Sequence, residues 1–157
     1  MRALDLFAGA GGWDIAAEDL GIYVDGVENM AEAVATRDAA RLRTVLDDVR
    51  NVIDMLDLST YDMLIASPPC QSFSMAGKGK GKGRNALPQI LAAIYAFNTT
   101  RPPTYQEIAA HVGDERAALV LEPLRVALAM RPTYIAFEQV PTVLPIWEAC
   151  AEVLRWR

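Results

Sequence analysis

The sequence predicts an α/β fold built on a mostly parallel sheet. Two observations predict it: short apolar runs alternate with helical stretches, and each run closes on glycine, proline or an acid. The 157 residues are 52% hydrophobic and 22% charged, which suits one domain with a buried core. No apolar run approaches the roughly 20 residues that cross a bilayer.

Five strands are predicted, each from a short apolar run. They cover residues 3–7, 23–27, 43–46, 62–66 and 134–137. Helical patterns cover residues 13–20, 30–42, 115–130 and 145–155, the third being a long amphipathic helix. Residues 98–113 are predicted to be an irregular excursion with one short helix.

Cysteine and charge content exclude several classes of protein. Two cysteines and one histidine make neither a disulfide framework nor a structural zinc site, so no metal is predicted. A net charge of −5 excludes a surface that attracts nucleic acid everywhere, so any such contact must be local. Residues 77–84 alternate four glycines with four cations. This basic segment is either a solvated surface loop or a flexible contact to phosphates.

A glycine-rich turn follows the first strand, with the sequence Phe7-Ala8-Gly9-Ala10-Gly11-Gly12. Such a turn lets a ligand approach the backbone closely. Glu28 after the second strand suits ribose hydroxyls, and Asp48 follows the third strand. Because the turn holds no basic residue, an uncharged or zwitterionic ligand fits better than a phosphate. S-adenosylmethionine is the natural candidate.

Cys70 and Glu138 follow the fourth and fifth strands. Cysteine is the most nucleophilic side chain near neutral pH, and Cys70 stands on a proline-stiffened turn at the same sheet edge. Cys150, between two alanines of a helix, fits a buried structural cysteine instead. Glu138 ends an apolar strand, and burial in the crevice is expected to raise its pKa.

Taken in order, these motifs resemble the C5-cytosine DNA methyltransferase family over nearly the whole chain. Residues 5–12 resemble its cofactor motif, Pro69-Cys70-Gln71 its nucleophile signature, and Glu138-Gln139-Val140 its Glu-Asn-Val motif. Gln139 stands where the family has asparagine, and its extra methylene changes where the amide reaches. The resemblance implies a truncated, Rossmann-like, S-adenosylmethionine-dependent methyltransferase fold with helices on both faces of the sheet.

The resemblance also implies residue roles. Cys70 would attack C6 of a cytosine flipped out of double-stranded DNA, and Glu138 would engage N3 and the exocyclic amine. S-adenosylmethionine would be held by residues of the strand ends, namely Phe7, Ala8, Gly9, Gly11, Gly12, Glu28, Asn29, Asp48, Val49 and Pro69. DNA would be contacted by residues on and after the cysteine turn, namely Gln71, Ser72, Lys78, Lys80, Lys82 and Arg84.

Residues 1–157 are therefore expected to form a partial catalytic domain without a target-recognition domain. A C-terminal partner chain would then supply recognition, and the setting would be a prokaryotic or phage-infected cytoplasm. Two alternatives stay open. The first is an inactive or partner-dependent subunit. The second is an amino-group DNA methyltransferase, which Ser67-Pro68-Pro69 would suit but which has an aromatic residue where Cys70 stands.

Overall fold

A computed structural model describes residues 1–69, 87–97, 103–113 and 115–155. The chain forms two compact units. We call the first the sheet unit, Met1–Ser67 with Ala129–Glu138, and the second the helical unit, Pro68–Leu128 with Gln139–Arg157.

The sheet unit contains a five-stranded parallel sheet. Its strands are β1 (Arg2–Leu6), β2 (Tyr23–Val27), β3 (Arg43–Leu46), β4 (Met63–Ala66) and β5 (Tyr134–Phe137). Their order in the sheet is β3-β2-β1-β4-β5, and every pairing is parallel. All five lie within one residue of the predicted strands, which confirms the α/β class.

Burial along the strands follows their position in the sheet. Leu4 and Leu6 of β1 and Leu64 of β4 have no exposed area, as expected for central strands of a parallel sheet. In β5, which lies at one edge, Tyr134 is 56% exposed and Ile135 is 40% exposed. The central strands therefore carry the core of the sheet unit.

Three α-helices belong to the sheet unit. They are α1 (Gly12–Glu18), α2 (Ala31–Ala39) and α3 (Val52–Met55). Short 3-10 turns at Val49–Asn51 and Leu58–Thr60 flank α3. Both turns begin with an aspartate whose carboxylate accepts a backbone N–H, Asp48 from Arg50 and Asp57 from Ser59.

An ionic cluster around the buried carboxylate of Asp25 lies on one face of β2. The Asp25 carboxylate accepts hydrogen bonds from the Arg2 guanidinium and from the Tyr61 hydroxyl, and Arg43 lies 3.4 Å away. Burial of Tyr61 and its bond to Asp25 raise the pKa of Tyr61 to about 12. Gly26, the next residue in β2, faces the opposite side of the sheet because strand residues alternate.

The helical unit is built from α-helices, which pack on a common apolar core. They are α4 (Leu87–Ala96), α5 (Tyr105–Val112), α6 (Glu115–Ala118), α7 (Glu122–Met130, as far as Leu128) and α8 (Leu144–Arg155). The core includes Ile94, Ile108, Leu121, Leu124 and Ile146, each no more than 2% exposed. None of the helices in the described ranges is long and apolar enough to cross a membrane.

The long helix predicted over 115–130 is wrong as a single element. A 3-10 turn at Leu119–Leu121 separates α6 from α7. Pro123 explains the break, because it has no N–H to donate to the carbonyl four residues earlier, whereas the first turn of a new helix tolerates it. Helix α4 was not predicted at all, and α5 is the short helix expected within 98–113.

Candidate active site

The carboxyl ends of the strands bring three predicted site residues, Phe7, Glu28 and Glu138, to one edge of the sheet unit, with Ser67 beside them. Backbone hydrogen bonds continue the ladder beyond the strands, from Ser67 to Leu6 (3.2 Å), from Glu138 to Ala66 (3.0 Å) and from Glu28 to Leu46 (3.1 Å). Phe7, Glu28, Ser67 and Glu138 therefore sit on neighbouring strand ends, where ligands of open α/β sheets bind.

The glycine-rich turn after β1 is held in an unusual backbone conformation. Phe7, Gly9 and Gly11 have positive φ angles of 60°, 54° and 97°. The Ala8 N–H bonds the Val27 carbonyl at 3.1 Å, and the Gly11 N–H returns to the Ala8 carbonyl at 3.0 Å. A non-glycine residue at positive φ is uncommon, so Phe7 marks this turn as a candidate ligand site.

Glu28 ties this turn to the start of α2. One carboxylate oxygen accepts the Gly9 N–H at 2.8 Å, and the other accepts the Met30 N–H at 2.7 Å. The side chain is half-buried. Glu28 is thus a backbone clamp beside the turn, and its remaining lone pairs can accept ribose hydroxyls.

Asp48 follows β3 and forms an ion pair with Arg50. Its carboxylate accepts hydrogen bonds from the Arg50 backbone N–H and from the Arg50 guanidinium, which hold the pKa of Asp48 below its usual range. Val49 is buried, whereas Asn29 is exposed. Asp48 is thus an ionised acceptor whose position is set by Arg50.

Asp5, the last acid of β1 before the turn, is almost fully buried. Neither of its carboxylate oxygens has a hydrogen-bond partner within the described ranges. Burial, followed by the negative charge of Asp14, raises the pKa of Asp5 to about 8. The raised pKa favours the protonated, neutral form of Asp5 near neutral pH.

Side-chain hydrogen bonds hold two residues shortly before Cys70, Ser67 in the sheet unit and Pro68 in the helical unit. In the sheet unit, the Trp13 indole N–H donates to the Ser67 hydroxyl at 3.2 Å. In the helical unit, the Gln139 amide donates to the Pro68 carbonyl, and its oxygen accepts the Val140 N–H at 2.6 Å. The extra methylene of Gln139 thus still lets its amide reach the turn before the cysteine. Pro69 itself is exposed.

Glu138 differs from the expectation of burial. Its backbone N–H is the last ladder bond of β5, and its side chain is exposed. The burial that was expected to raise its pKa is not found.

Several predicted site residues lie outside the described residues. They are Cys70, Gln71, Ser72, Lys78, Lys80, Lys82 and Arg84. Cys150 is described, in α8, and is 1% exposed. Burial raises the pKa of the Cys150 thiol to about 12, so it stays protonated and unreactive, as expected of a structural cysteine.

Sequence reasoning missed two residues beneath the glycine-rich turn. Arg37 of α2 and Asp14 of α1 form an ion pair with N–O distances of 2.6 and 3.1 Å, and both side chains are at most 1% exposed. Because an arginine in an alanine-rich helix usually faces solvent, the residue type of Arg37 did not indicate that its side chain is buried. Gly26 inside β2 did indicate a close approach, because a strand glycine often marks one.

The parallel sheet and the turn at its carboxyl edge define a Rossmann-like methyltransferase fold. The family model for C-5 cytosine-specific DNA methylases matches residues 1–104. The chain therefore belongs to the C-5 cytosine-specific DNA methylase family. This confirms the family resemblance predicted from its sequence motifs.

Individual relatives are similar at modest identity. The Type II methyltransferase M.HgiGI of Herpetosiphon aurantiacus is 33% identical over 93 residues, which are 55% of this chain and 74% of that protein. M.AplI of Arthrospira platensis is 35% identical over 109 residues, 62% of this chain and 28% of its own length. M.Bsp6I of Bacillus sp. is 33% identical over 84 residues, 52% of this chain and 26% of its own length. The chain thus spans about a quarter of M.AplI and M.Bsp6I.

Proposed function

We propose that this chain is the cofactor-binding and nucleophile-bearing part of a DNA (cytosine-5-)-methyltransferase. The observation that carries the proposal is the convergence of the glycine-rich turn, Glu28 and Glu138 at one carboxyl edge of the sheet, in a chain of the C-5 cytosine-specific family. The relatives are named as Type II methyltransferases, which supports a role of the proposed reaction in restriction and modification of DNA.

The turn fits S-adenosylmethionine in shape and charge. Apart from the chain neighbours, no heavy atom of the described residues lies within 4 Å of the place where a Cβ would stand on Gly9 or Gly12, which leaves room there for a ligand. Residues 7–12 carry no charged side chain. Glu28 would hold the ribose, and Asp48 with Val49 would hold the adenine. When bound, the cofactor supplies an electrophilic methyl group.

The residues of the chain would then carry out covalent catalysis. The Cys70 thiolate forms a bond to C6 of cytosine, and the electrons of the C5–C6 double bond move toward the ring carbonyl and N3. Glu138 donates a hydrogen bond or proton at N3, which stabilises this electron-rich ring. C5 would take the methyl group as the sulfur–methyl bond of the cofactor breaks, which leaves S-adenosylhomocysteine. Loss of the C5 proton then restores the double bond and expels the Cys70 sulfur.

Double-stranded DNA is the proposed substrate, with the target cytosine flipped out of the helix. Gln71 and Ser72 follow the nucleophile in sequence and would meet the flipped nucleotide. Lys78, Lys80, Lys82 and Arg84 would contact phosphates, which fix position without reading sequence. Target recognition is assigned to a partner chain, because the basic segment suits phosphates and phosphate contacts carry no sequence information.

The test is to identify the methylated base. The purified chain is incubated with S-adenosylmethionine and DNA of mixed sequence, alone and with a polypeptide carrying a target-recognition domain. The DNA is then digested to nucleosides, which are separated by liquid chromatography against standards and detected by mass spectrometry, because 5-methyl- and N4-methyldeoxycytidine have the same mass. The proposal requires 5-methylcytosine. N4-methylcytosine or N6-methyladenine would instead establish the amino-group alternative, and cofactor binding without methylation in both mixtures would establish an inactive subunit.

A further inference from the structure

Arg37 forms an unusually complete set of hydrogen bonds for a buried residue. Its side chain has no exposed area, and all five of its guanidinium N–H groups are within reach of an acceptor. Two of them meet the Asp14 carboxylate. The other three acceptors are the Thr44 hydroxyl at 2.9 Å, the Arg43 carbonyl at 2.8 Å and the Ala8 carbonyl at 3.5 Å.

These acceptors belong to three elements of the sheet unit other than the helix that carries Arg37. Arg37 stands on α2, Asp14 on α1, Thr44 on β3, and Ala8 in the glycine-rich turn. The guanidinium also fills the place of a side chain on β2, because a Cβ on Gly26 would overlap it. One planar, rigid group thus connects the turn to the elements on either side of it.

The glycine-rich turn rests directly on this group. Gly11 has a φ of 97°, and a Cβ there would lie 3.4 Å from an Arg37 nitrogen and would overlap Leu42. From the other side, Glu28 holds the Gly9 amide. The turn is therefore held from below by Arg37 and from the side by Glu28, while Gly9 stays open to a ligand.

Stability alone does not account for this arrangement. Replacing a buried ion pair by apolar residues of similar volume is often neutral or stabilising, because burial strips both charges of water. The same sheet unit contains the Arg2–Asp25 pair on the other face of β2, which bonds no residue of the turn. A bidentate guanidinium adds fixed geometry, which an apolar pair cannot supply.

We propose that Arg37, paired with Asp14, is a positioning residue that holds residues 8–11 in the conformation that admits the methyl donor. This inference deepens the proposed function and rests on it, since the ligand of the turn is taken to be S-adenosylmethionine. Because Arg37 itself has no exposed area, it would act on the ligand through the turn.

The experiment compares Asp14→Asn with Asp25→Asn. Both substitutions remove a buried carboxylate from an arginine in the same sheet unit, on opposite faces of β2, and Arg37→Lys keeps the charge while losing the planar fork. The readouts are amide hydrogen exchange at Gly9 and Gly11 and the Kd for S-adenosylmethionine. We expect Asp14→Asn and Arg37→Lys to speed amide exchange at Gly9 and Gly11 at least tenfold and to raise the Kd for S-adenosylmethionine at least tenfold. Asp25→Asn should change neither quantity more than twofold, although its loss of Tm should be comparable to theirs.

A double variant separates positioning from stability. Arg37→Met with Asp14→Leu replaces the ion pair by apolar side chains, and we expect a folded protein with fast exchange at Gly9 and Gly11. Wild-type exchange and Kd in this double variant or in Arg37→Lys would overturn the proposal, as would equal effects from Asp25→Asn. If the wild-type chain fails to bind S-adenosylmethionine, the proposed function fails, while exchange at the turn still decides whether Arg37 positions it.

Discussion

At the scale of single residues, the acids at the carboxyl edge of the sheet differ in their hydrogen-bond partners, because their surroundings differ. Glu28 is held by two backbone amides, Asp48 by an arginine, and Asp5 by neither. Residue type and strand-end position predicted Glu28 and Asp48 as site residues. The state of Asp5 could not be predicted, because it depends on burial and on Asp14, which come together only in the fold.

Glu28→Gln should weaken S-adenosylmethionine binding about tenfold, because a charge-assisted hydrogen bond is worth about 1.5–3 kcal/mol. Titration calorimetry measures it directly. Glu32→Gln is the matched control, since Glu32 is an exposed glutamate in the first turn of α2. Equal affinities of wild type and Glu28→Gln would remove Glu28 from the site.

Asp5→Asn should change how stability depends on pH. The pKa of Asp5 is raised from 3.8 to about 8, so between these values the folded chain holds a proton that the unfolded chain has lost. Stability from this group is therefore complete below about pH 4 and lost as pH rises through 8, by at most about 1.4 kcal/mol per pH unit.

Urea unfolding between pH 5 and pH 8 measures this slope. We expect Asp5→Asn to flatten the fall in the free energy of unfolding, and Asp38→Asn, at an exposed acid of α2, to leave it as in wild type. A variant at position 5 with the wild-type slope would show that Asp5 is ionised in the folded chain.

At the scale of elements, the sequence predicts the strands better than it predicts where the helices are interrupted. Each strand is a short apolar run that ends at glycine, proline or an acid. This pattern is local in the sequence, so it predicts a strand without knowledge of tertiary contacts. Helix α4 is almost wholly apolar, so its sequence lacks the polar face that marks an amphipathic helix. The break before α7 could have been foreseen from Pro123, whereas the burial of Arg37 on α2 depends on partners from three other elements.

Gly26→Ala should destabilise the packing of β2 against the turn. Its Cβ would overlap the Arg37 guanidinium and approach the Ala8 Cβ to 3.0 Å. We expect a loss of about 1–3 kcal/mol, or roughly 2–4 °C in Tm for each kcal/mol. Gly12→Ala, where no atom lies within 4 Å, should stay within about 0.5 kcal/mol. Equal Tm values for both variants would contradict the close packing at Gly26.

At the scale of the whole molecule, charge is distributed unevenly along the chain. The net charge is −5, yet all three lysines, at positions 78, 80 and 82, fall in one basic segment with Arg84. Its composition predicts contact with phosphates, and four cations limit the number of phosphates neutralised. Binding should therefore be weak and sensitive to salt.

DNA binding should protect these lysines from acetylation. Because they are the only lysines in the chain, mass spectrometry of the modified protein reports on this segment and the N-terminus alone. The slope of log K against log salt should be no steeper than about −4, and about 2 units shallower for Lys80→Gln with Lys82→Gln. Unprotected lysines at saturating DNA would place the contact elsewhere.

The most direct test of the central claim, covalent catalysis by Cys70, is trapping on DNA that contains 5-fluorocytosine. Fluorine at C5 cannot leave as a proton does, so a thioether formed at C6 persists and can be weighed by mass spectrometry. With S-adenosylmethionine and a target-recognition polypeptide present, wild type and Cys150→Ser should both form the adduct, because the Cys150 thiol is buried and protonated. Cys70→Ser should form none. An adduct that survives in Cys70→Ser, or that is lost only in Cys150→Ser, would contradict the assignment of Cys70 as the nucleophile.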